Sequence, residues 1–268
     1  MKKWQSSAVA AALVFSMFTV GCGEQIDQNA GIATSAPATE AATEATTAAP
    51  ELTERAKKHL AQNPDTVGYI TIEGSQVDNP VVQTSNNEYY LDHGFDGQEF
   101  RAGTVFMDCT DDFGADPETW SENIVLYGHN MADNTMFGSL RQYRQNPSYY
   151  KEAPFITFSS NYADYTYVMV GLLITGGDAD SDFKYWQMED LDDKAAFDSY
   201  MGSVNSKNMI DNPIDVQYGD SLLTLSTCYS DEDNSRFLIV ARRLRDGEDT
   251  ASMLSTIQNN GGTDAAQE

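Results

Sequence analysis

The chain has 268 residues, of which 41% are hydrophobic and 11% aromatic, enough apolar material for a packed core and against wholesale disorder. Its formal net charge of −25 argues against binding nucleic acid or bare anionic lipid. Its three cysteines, Cys22, Cys109 and Cys228, are too few and too widely spaced for a disulfide framework, and no Cys-x-x-Cys pair points to a metal.

The N-terminus, "MKKWQSSAVAAALVFSMFTVGCG", places two lysines before an apolar stretch from Ala8 to Val20. That run of 13 residues is shorter than a bilayer span and has the pattern of an export signal. It ends in Thr19-Val20-Gly21-Cys22, which resembles a bacterial lipobox with Thr where Leu is usual. Lipidation of Cys22 is the favoured reading; ordinary cleavage and an uncleaved short anchor are the alternatives. All three put the remainder outside the cytoplasm. Residues 1–22 are therefore read as the signal. Residues 23–52, rich in Ala, Thr, Glu and Pro and without a basic residue, are read as a disordered acidic tether.

A folded domain is expected over 53–246. "LTERAKKHLAQN" predicts an opening helix capped by Thr53. Eight strands follow: "VGYITIEG", "NPVVQT", "AGTVFMD", "NIVLYGH", "PFITFSS", "YTYVMVGLLIT", "SLLTLSTC" and "RFLIVARRL". Such a set suggests a closed barrel or a sandwich. "NTMFGSLRQYRQ" has helical spacing. So does the long stretch "LDDKAAFDSYMGSV", capped by Asp190, with Phe197, Tyr200, Met201 and Val204 as its core stripe. Residues 247–268 show little periodicity beyond a turn at 252–257 and are read as a mostly disordered tail.

Cys228 ends an apolar strand. A thiol becomes a useful nucleophile at neutral pH when a base or positive charge lies beside it. Of the three histidines, His129 follows a strand and a glycine and can face a cleft, whereas His59 reads as surface and His93 as a turn residue. Arg236 opens the strand that the turn "YSDEDNS" returns beside Cys228, where it can donate to a developing oxyanion. Cys109 reads as structural. "DADSD" places Asp178, Asp180 and Asp182 at calcium-loop spacing with Glu189 twelfth, but Phe183 stands where that loop needs glycine, so no metal is expected.

Taken together, "TLSTC" (224–228), "YGHNM" (127–131) and "RFLIVARR" (236–243) resemble sortases, the cysteine transpeptidases of Gram-positive cell surfaces. "VGYITI", "NPVVQ", "AGTVFMD" and "MFGSL", in that order, point to class B. The resemblance implies a mostly β, eight-stranded sortase-type barrel with an N-terminal helix, and a long helix inserted before the strand that leads to the catalytic cysteine. It further implies Cys228 as nucleophile, His129 as its acid–base partner and Arg236 as the carbonyl or oxyanion donor, with no metal or organic cofactor. Asn87, Leu91, Ser226, Thr227, Tyr185 and Trp186 would line the substrate groove. Tyr229 stands where some class B enzymes carry Glu. The implied reaction cleaves a secreted protein's C-terminal sorting motif after Thr through a thioester. The protein then passes to an amine of a peptidoglycan precursor or a pilin. A hydrolase that releases it to water is the alternative. The implied place is the extracellular face of the cell membrane, reached through the N-terminus and its lipid.

Overall fold

A computed structural model describes residues 50–178, 180–187, 191–228 and 234–260, all within the unit that begins at Ala48. The signal with Cys22, most of the tether, Glu189, Asp190, Tyr229 and residues 261–268 lie outside the described residues. No helix among the described residues is long and apolar enough to cross a membrane.

Eight strands close into one barrel in the order β1-β2-β3-β4-β7-β8-β6-β5, with β5 pairing back onto β1. They are β1 (Thr66–Thr71), β2 (Asp78–Val82), β3 (Phe106–Met107), β4 (Asn123–Tyr127), β5 (Phe155–Ser160), β6 (Asp164–Gly176), β7 (Leu222–Cys228) and β8 (Ser235–Arg243). The pairs β2–β3 and β4–β7 are parallel and the rest antiparallel. Strand β1 alternates between buried and half-buried residues, as a strand covered on one face does. Strands β4 and β7 are buried almost throughout, as parallel strands covered on both faces are.

Helix α1 (Glu54–Leu60) begins where expected, with the Thr53 hydroxyl accepting from the Ala56 amide at 3.1 Å. Helix α3 (Lys194–Lys207) buries the predicted stripe of Phe197, Tyr200, Met201 and Val204. Bare Gly171 on β6 lets this helix approach closely: a Cβ there would lie 2.9 Å from Val204. The Tyr200 hydroxyl bonds the Thr224 hydroxyl at 2.7 Å, which donates to Asn123 at 2.8 Å, joining α3, β7 and β4 through a buried polar chain. Asp193, rather than Asp190, occupies the N-cap position of α3, without a side-chain capping bond.

Three expectations change. The helix read into 134–145 is only a 3-10 turn, Gly138–Leu140, running into the short α2 (Arg141–Gln145). Asn134 and Met136 have φ of 70° and 50°, which no right-handed helix accommodates. Strand β3 keeps two of the seven residues expected for it: Gly103 turns left-handed at φ 59°, and the Thr104 amide after it bonds the Tyr90 carbonyl of the loop at 3.0 Å rather than a strand. The tail carries a helix: Asp249 caps α4 (Thr250–Asn259), Ile257 is fully buried, and Lys151 donates to the Asn260 carbonyl at 2.8 Å.

The link into α4 is anchored by charge. Arg242 is 1% exposed and meets Glu248 through two bonds of 2.6 and 3.1 Å, while Arg245 bonds Asp220 at 2.7 Å. The hydrogen bond from Arg242 holds the Glu248 carboxyl below the usual glutamate range. Its contribution to stability is therefore full at neutral pH and is lost as pH falls through the folded-state pKa. Replacing Glu248 with Gln leaves the buried Arg242 with Asp220, 4.0 Å away, as its nearest carboxylate and is expected to cost about 3 kcal/mol at pH 7 in urea unfolding, since breaking a buried pair is costly. The difference from wild type should narrow on acidification, as the wild-type carboxyl itself becomes neutral; equal stabilities at pH 7 would show that the pair contributes nothing.

Candidate active site

The register of three neighbouring strands builds the site. Parallel β4 and β7 pair Tyr127 with Ser226, and the Gly128 amide still bonds the Ser226 carbonyl at 3.2 Å. One residue beyond Gly128 comes His129, and two beyond Ser226 comes Cys228, so both reach the same rim of the barrel. On the other side of β7, antiparallel pairing sets Cys228 directly across from Arg236 on β8. Residues directly opposite across a ladder share one face.

His129 is held by the loop that follows β4. Its carbonyl accepts from the Phe137 amide at 3.0 Å, and Arg141 staples the loop by donating to the Met131 carbonyl and, at 2.7 Å, to the Gly138 carbonyl. Bare Gly128 leaves room for the Phe137 ring, which a Cβ would meet at 2.7 Å. Imidazole Nε2 lies 2.7 Å from the Leu91 carbonyl oxygen. A carbonyl only accepts, so Nε2 carries the hydrogen there and Nδ1 remains for the thiol. The amide of Asn130 donates to the Cys228 carbonyl at 3.0 Å, tying the histidine loop to the end of β7.

The electrostatics bring the two groups toward a thiolate–imidazolium pair. The hydrogen bond from His129 holds the exposed Cys228 thiol below the ordinary cysteine range, against burial and with help from the Arg236 charge. The bond to Cys228 in turn lifts His129 above the ordinary imidazole range, against burial and with support from the Leu91 carbonyl. The guanidinium of Arg236 packs on Gly177, where a Cβ would come within 2.7 Å of its central carbon.

All nine residues singled out for the site line one cleft of about 330 Å³: Cys228, His129, Arg236, Asn87, Leu91, Ser226, Thr227, Tyr185 and Trp186. They are not equally available to a ligand. Both ends of the Asn87 amide are engaged, its nitrogen by Asp108 at 2.8 Å and its oxygen by the Cys109 amide at 2.8 Å. The Ser226 hydroxyl is bonded to that of buried Tyr185 at 2.6 Å, and burial pushes the Tyr185 phenol up. Thr227, 4% exposed, has a buried hydroxyl without a partner among the described residues.

Thr104, Phe106, Tyr127, Gly128 and Gly177 complete the wall. Tyr127 and Gly128 could have been found from their place next to His129; Gly177, after β6, is revealed only by the strand pairing. Beneath the wall, buried Asp108 accepts from Tyr127 at 2.7 Å, from Asn87, and from the amide and hydroxyl of Thr110 at 3.0 and 2.8 Å. Cys109 is a free, half-buried thiol whose pKa is pushed up by burial and by Asp108. His93 stacks on Tyr89 with ring centroids 4.1 Å apart, and half-buried His59 stacks on Tyr69 at 5.2 Å. Asp182 pairs with Lys207 at 2.7 Å, and no three metal-ligating side chains converge among the described residues.

A sortase-domain family model matches residues 70–244. Over 171 residues the chain is 30% identical to sortase B of Listeria monocytogenes, a match covering 64% of this chain and 65% of that protein's length. The crystal structure of Clostridium perfringens sortase B superposes with a TM-score of 0.63 at 26% identity, covering 70% of this chain and 99% of that one. A Staphylococcus aureus sortase B–substrate complex superposes with a TM-score of 0.64 at 26% identity, covering 73% of this chain and 87% of that one. The chain belongs to the sortase family, and these relatives are sortases B.

Proposed function

We propose that this chain is a cysteine transpeptidase that cuts a sorting motif after Thr and transfers the acyl part to an amine. The observation that carries the reading is the meeting of Cys228, His129 and Arg236 at one rim of the barrel, with the thiol's pKa lowered and the imidazole's raised. In this reading the Cys228 thiolate attacks the Thr carbonyl carbon and a C–S bond forms. Arg236 steadies the oxyanion. On collapse the C–N bond breaks and His129 gives its proton to the leaving amine. An incoming amine then reverses these steps on the thioester, returning its proton to His129 and releasing the thiolate.

The two sides of the peptide fall to two depressions. The first cleft, which contains Arg236, takes the acyl side. Leu91, Tyr185 and Trp186 are its apolar walls, Thr227 lines it with a buried hydroxyl, and Ser226 and Asn87 act by bracing Tyr185 and Asp108. A second depression of about 680 Å³ shares Leu91, His129 and Cys228 with the first and continues to Asp92, Glu99, Phe100 and Arg101. It lies on the His129 side, where both leaving and accepting amines must exchange their proton. The donor would be a secreted protein, and the acceptor an amine of a peptidoglycan precursor or a pilin.

The mature protein would be held at the outer face of the membrane by a lipid on Cys22, with residues 23–52 as the tether. Cys22→Ser should abolish lipid labelling and leave the intact precursor mass. Labelling that persists would place the anchor elsewhere.

The purified protein, incubated with peptides of the Asn-Pro-x-Thr-Asn and Pro-x-Thr-Gly kinds, should gain on Cys228 the mass of the peptide cut after Thr. An adduct that moves to an added amine establishes transpeptidation, and one lost only to water establishes the hydrolase. An alkylatable Cys228 that never forms an adduct overturns the proposal.

The thiol's titration offers a second test, independent of peptide. The rate of Cys228 alkylation should rise with pH. His129→Gln should move the profile to higher pH, because it removes the largest contribution that lowers the thiol pKa. Arg236→Gln should move it the same way but less, and a profile unmoved by His129→Gln would sink the assigned pairing.

A further inference from the structure

The carbonyl that holds His129 belongs to the loop between β2 and β3, and within the run 88–93 the loop's own hydrogen bonding leaves this acceptor for a partner outside it. The Glu88 carbonyl accepts from the Leu91 amide at 3.1 Å, and the Tyr90 carbonyl from the Thr104 amide at 3.0 Å. The Tyr89 carbonyl accepts from His93 Nδ1 at 2.8 Å, the Asp92 carbonyl from the Phe100 amide at 2.7 Å, and the His93 carbonyl from the Thr104 hydroxyl at 3.0 Å. In this run the carbonyl whose partner lies outside the loop is that of Leu91, and the partner is His129. Backbone carbonyls left in place without donors are costly, so the chain's return path decides which of them remains for the imidazole.

The return path crosses those carbonyls at Gly103. Its φ is 59°, and a Cβ built there would lie 2.3 Å from the Tyr90 oxygen and 2.8 Å from the Leu91 oxygen. Real side chains do not come so close to backbone oxygen, so the crossing needs glycine both for its angle and for its missing side chain. Gly97, in the same loop, has a similar φ of 75° but open space: a Cβ there would meet nothing nearer than the Tyr89 hydroxyl at 3.6 Å.

We propose that residues 88–104 form an orienting clamp for His129, in which the Leu91 carbonyl selects the Nε2–H tautomer and Gly103 is the positioning residue that sets where that carbonyl stands. The clamp does for this histidine what a carboxylate or amide side chain does in a three-residue catalytic array, using backbone alone. The proposal rests on the reading of His129 as acid–base partner of Cys228.

The tautomer can be read directly in the wild-type protein by long-range ¹H–¹⁵N correlation of the His129 ring, at a pH where the imidazole is neutral. The proposal expects hydrogen on Nε2, and hydrogen on Nδ1 overturns it. Gly103→Ala and Gly97→Ala are then compared. Both introduce a side chain at positive φ, and Gly103→Ala, which adds the clash with the Tyr90 and Leu91 carbonyls, should lose more stability. Gly103→Ala alone should slow acylation about ten-fold or more. It should also move the Cys228 alkylation profile to higher pH, because His129 loses an acceptor that supports its charge. Indistinguishable profiles and rates for the two variants overturn the positioning role. Should Gly103→Ala fail to fold, the tautomer measurement alone decides. Neither the tautomer nor the alkylation profile requires a peptide, so they can fail or succeed separately from the search for a sorting motif.

Discussion

The hydrogen-bond register across β4, β7 and β8 is the constraint on which the rest of this protein depends. Side chains alternate along a strand with a period of two, so a slip of one residue in the β7–β8 ladder would turn Arg236 away from Cys228. A slip between β4 and β7 would separate His129 from the thiol. Both faces of β7 are packed, so either slip of β7 would exchange the apolar row of Leu223 and Leu225 with the hydroxyl row of Thr224 and Ser226 and break the bonds of the latter to Tyr200 and Tyr185. The geometry of the reactive groups is thus secured by the apolar pattern of the barrel rather than by contacts among the groups themselves.

Electrostatically the site is an exception within a strongly acidic chain. Two of the groups that meet at the rim can carry positive charge, and the thiol between them gains from both. Of the acidic side chains close by, Asp108 is buried and occupied by Tyr127, Asn87 and Thr110, while Asp92 and Glu99 line the second depression. A carboxylate facing the thiol directly would oppose its ionisation. Here the nearest buried one is instead used to hold the cleft wall.

Much of this could be seen in the sequence, for a definite reason. Cys228, His129 and Arg236 each sit at the end of a hydrophobic run with a turn signal beside it, and strand ends are where side chains leave the core. The α3 stripe was equally legible, because four large apolar residues recur at helical spacing. What escaped depends on backbone or on long-range pairing. The Leu91 side chain was anticipated as a wall, but its carbonyl carries no residue-type signature, so its bond to His129 had no trace in the letters. The 134–145 helix failed because φ at Asn134 and Met136 is set by the loop they close, which a periodicity reading does not include. The helix in the tail leaves little trace in the sequence because α4 is anchored at its start by ion pairs whose partners, Asp220 and Arg242, lie elsewhere in the chain, and because its apolar face is small.

That last anchoring bears on where the catalytic unit ends. The apolar pattern runs out near Asp246, which invites a boundary there, yet the counter-charge of a core arginine lies two residues further on and the helix beyond it docks at Lys151. A chain shortened to the visible edge of the barrel would keep every reactive group and lose the electrostatic closure of β8. The edge of the chemistry and the edge of the folding unit are different places in this sequence, and an excised domain has to respect the second.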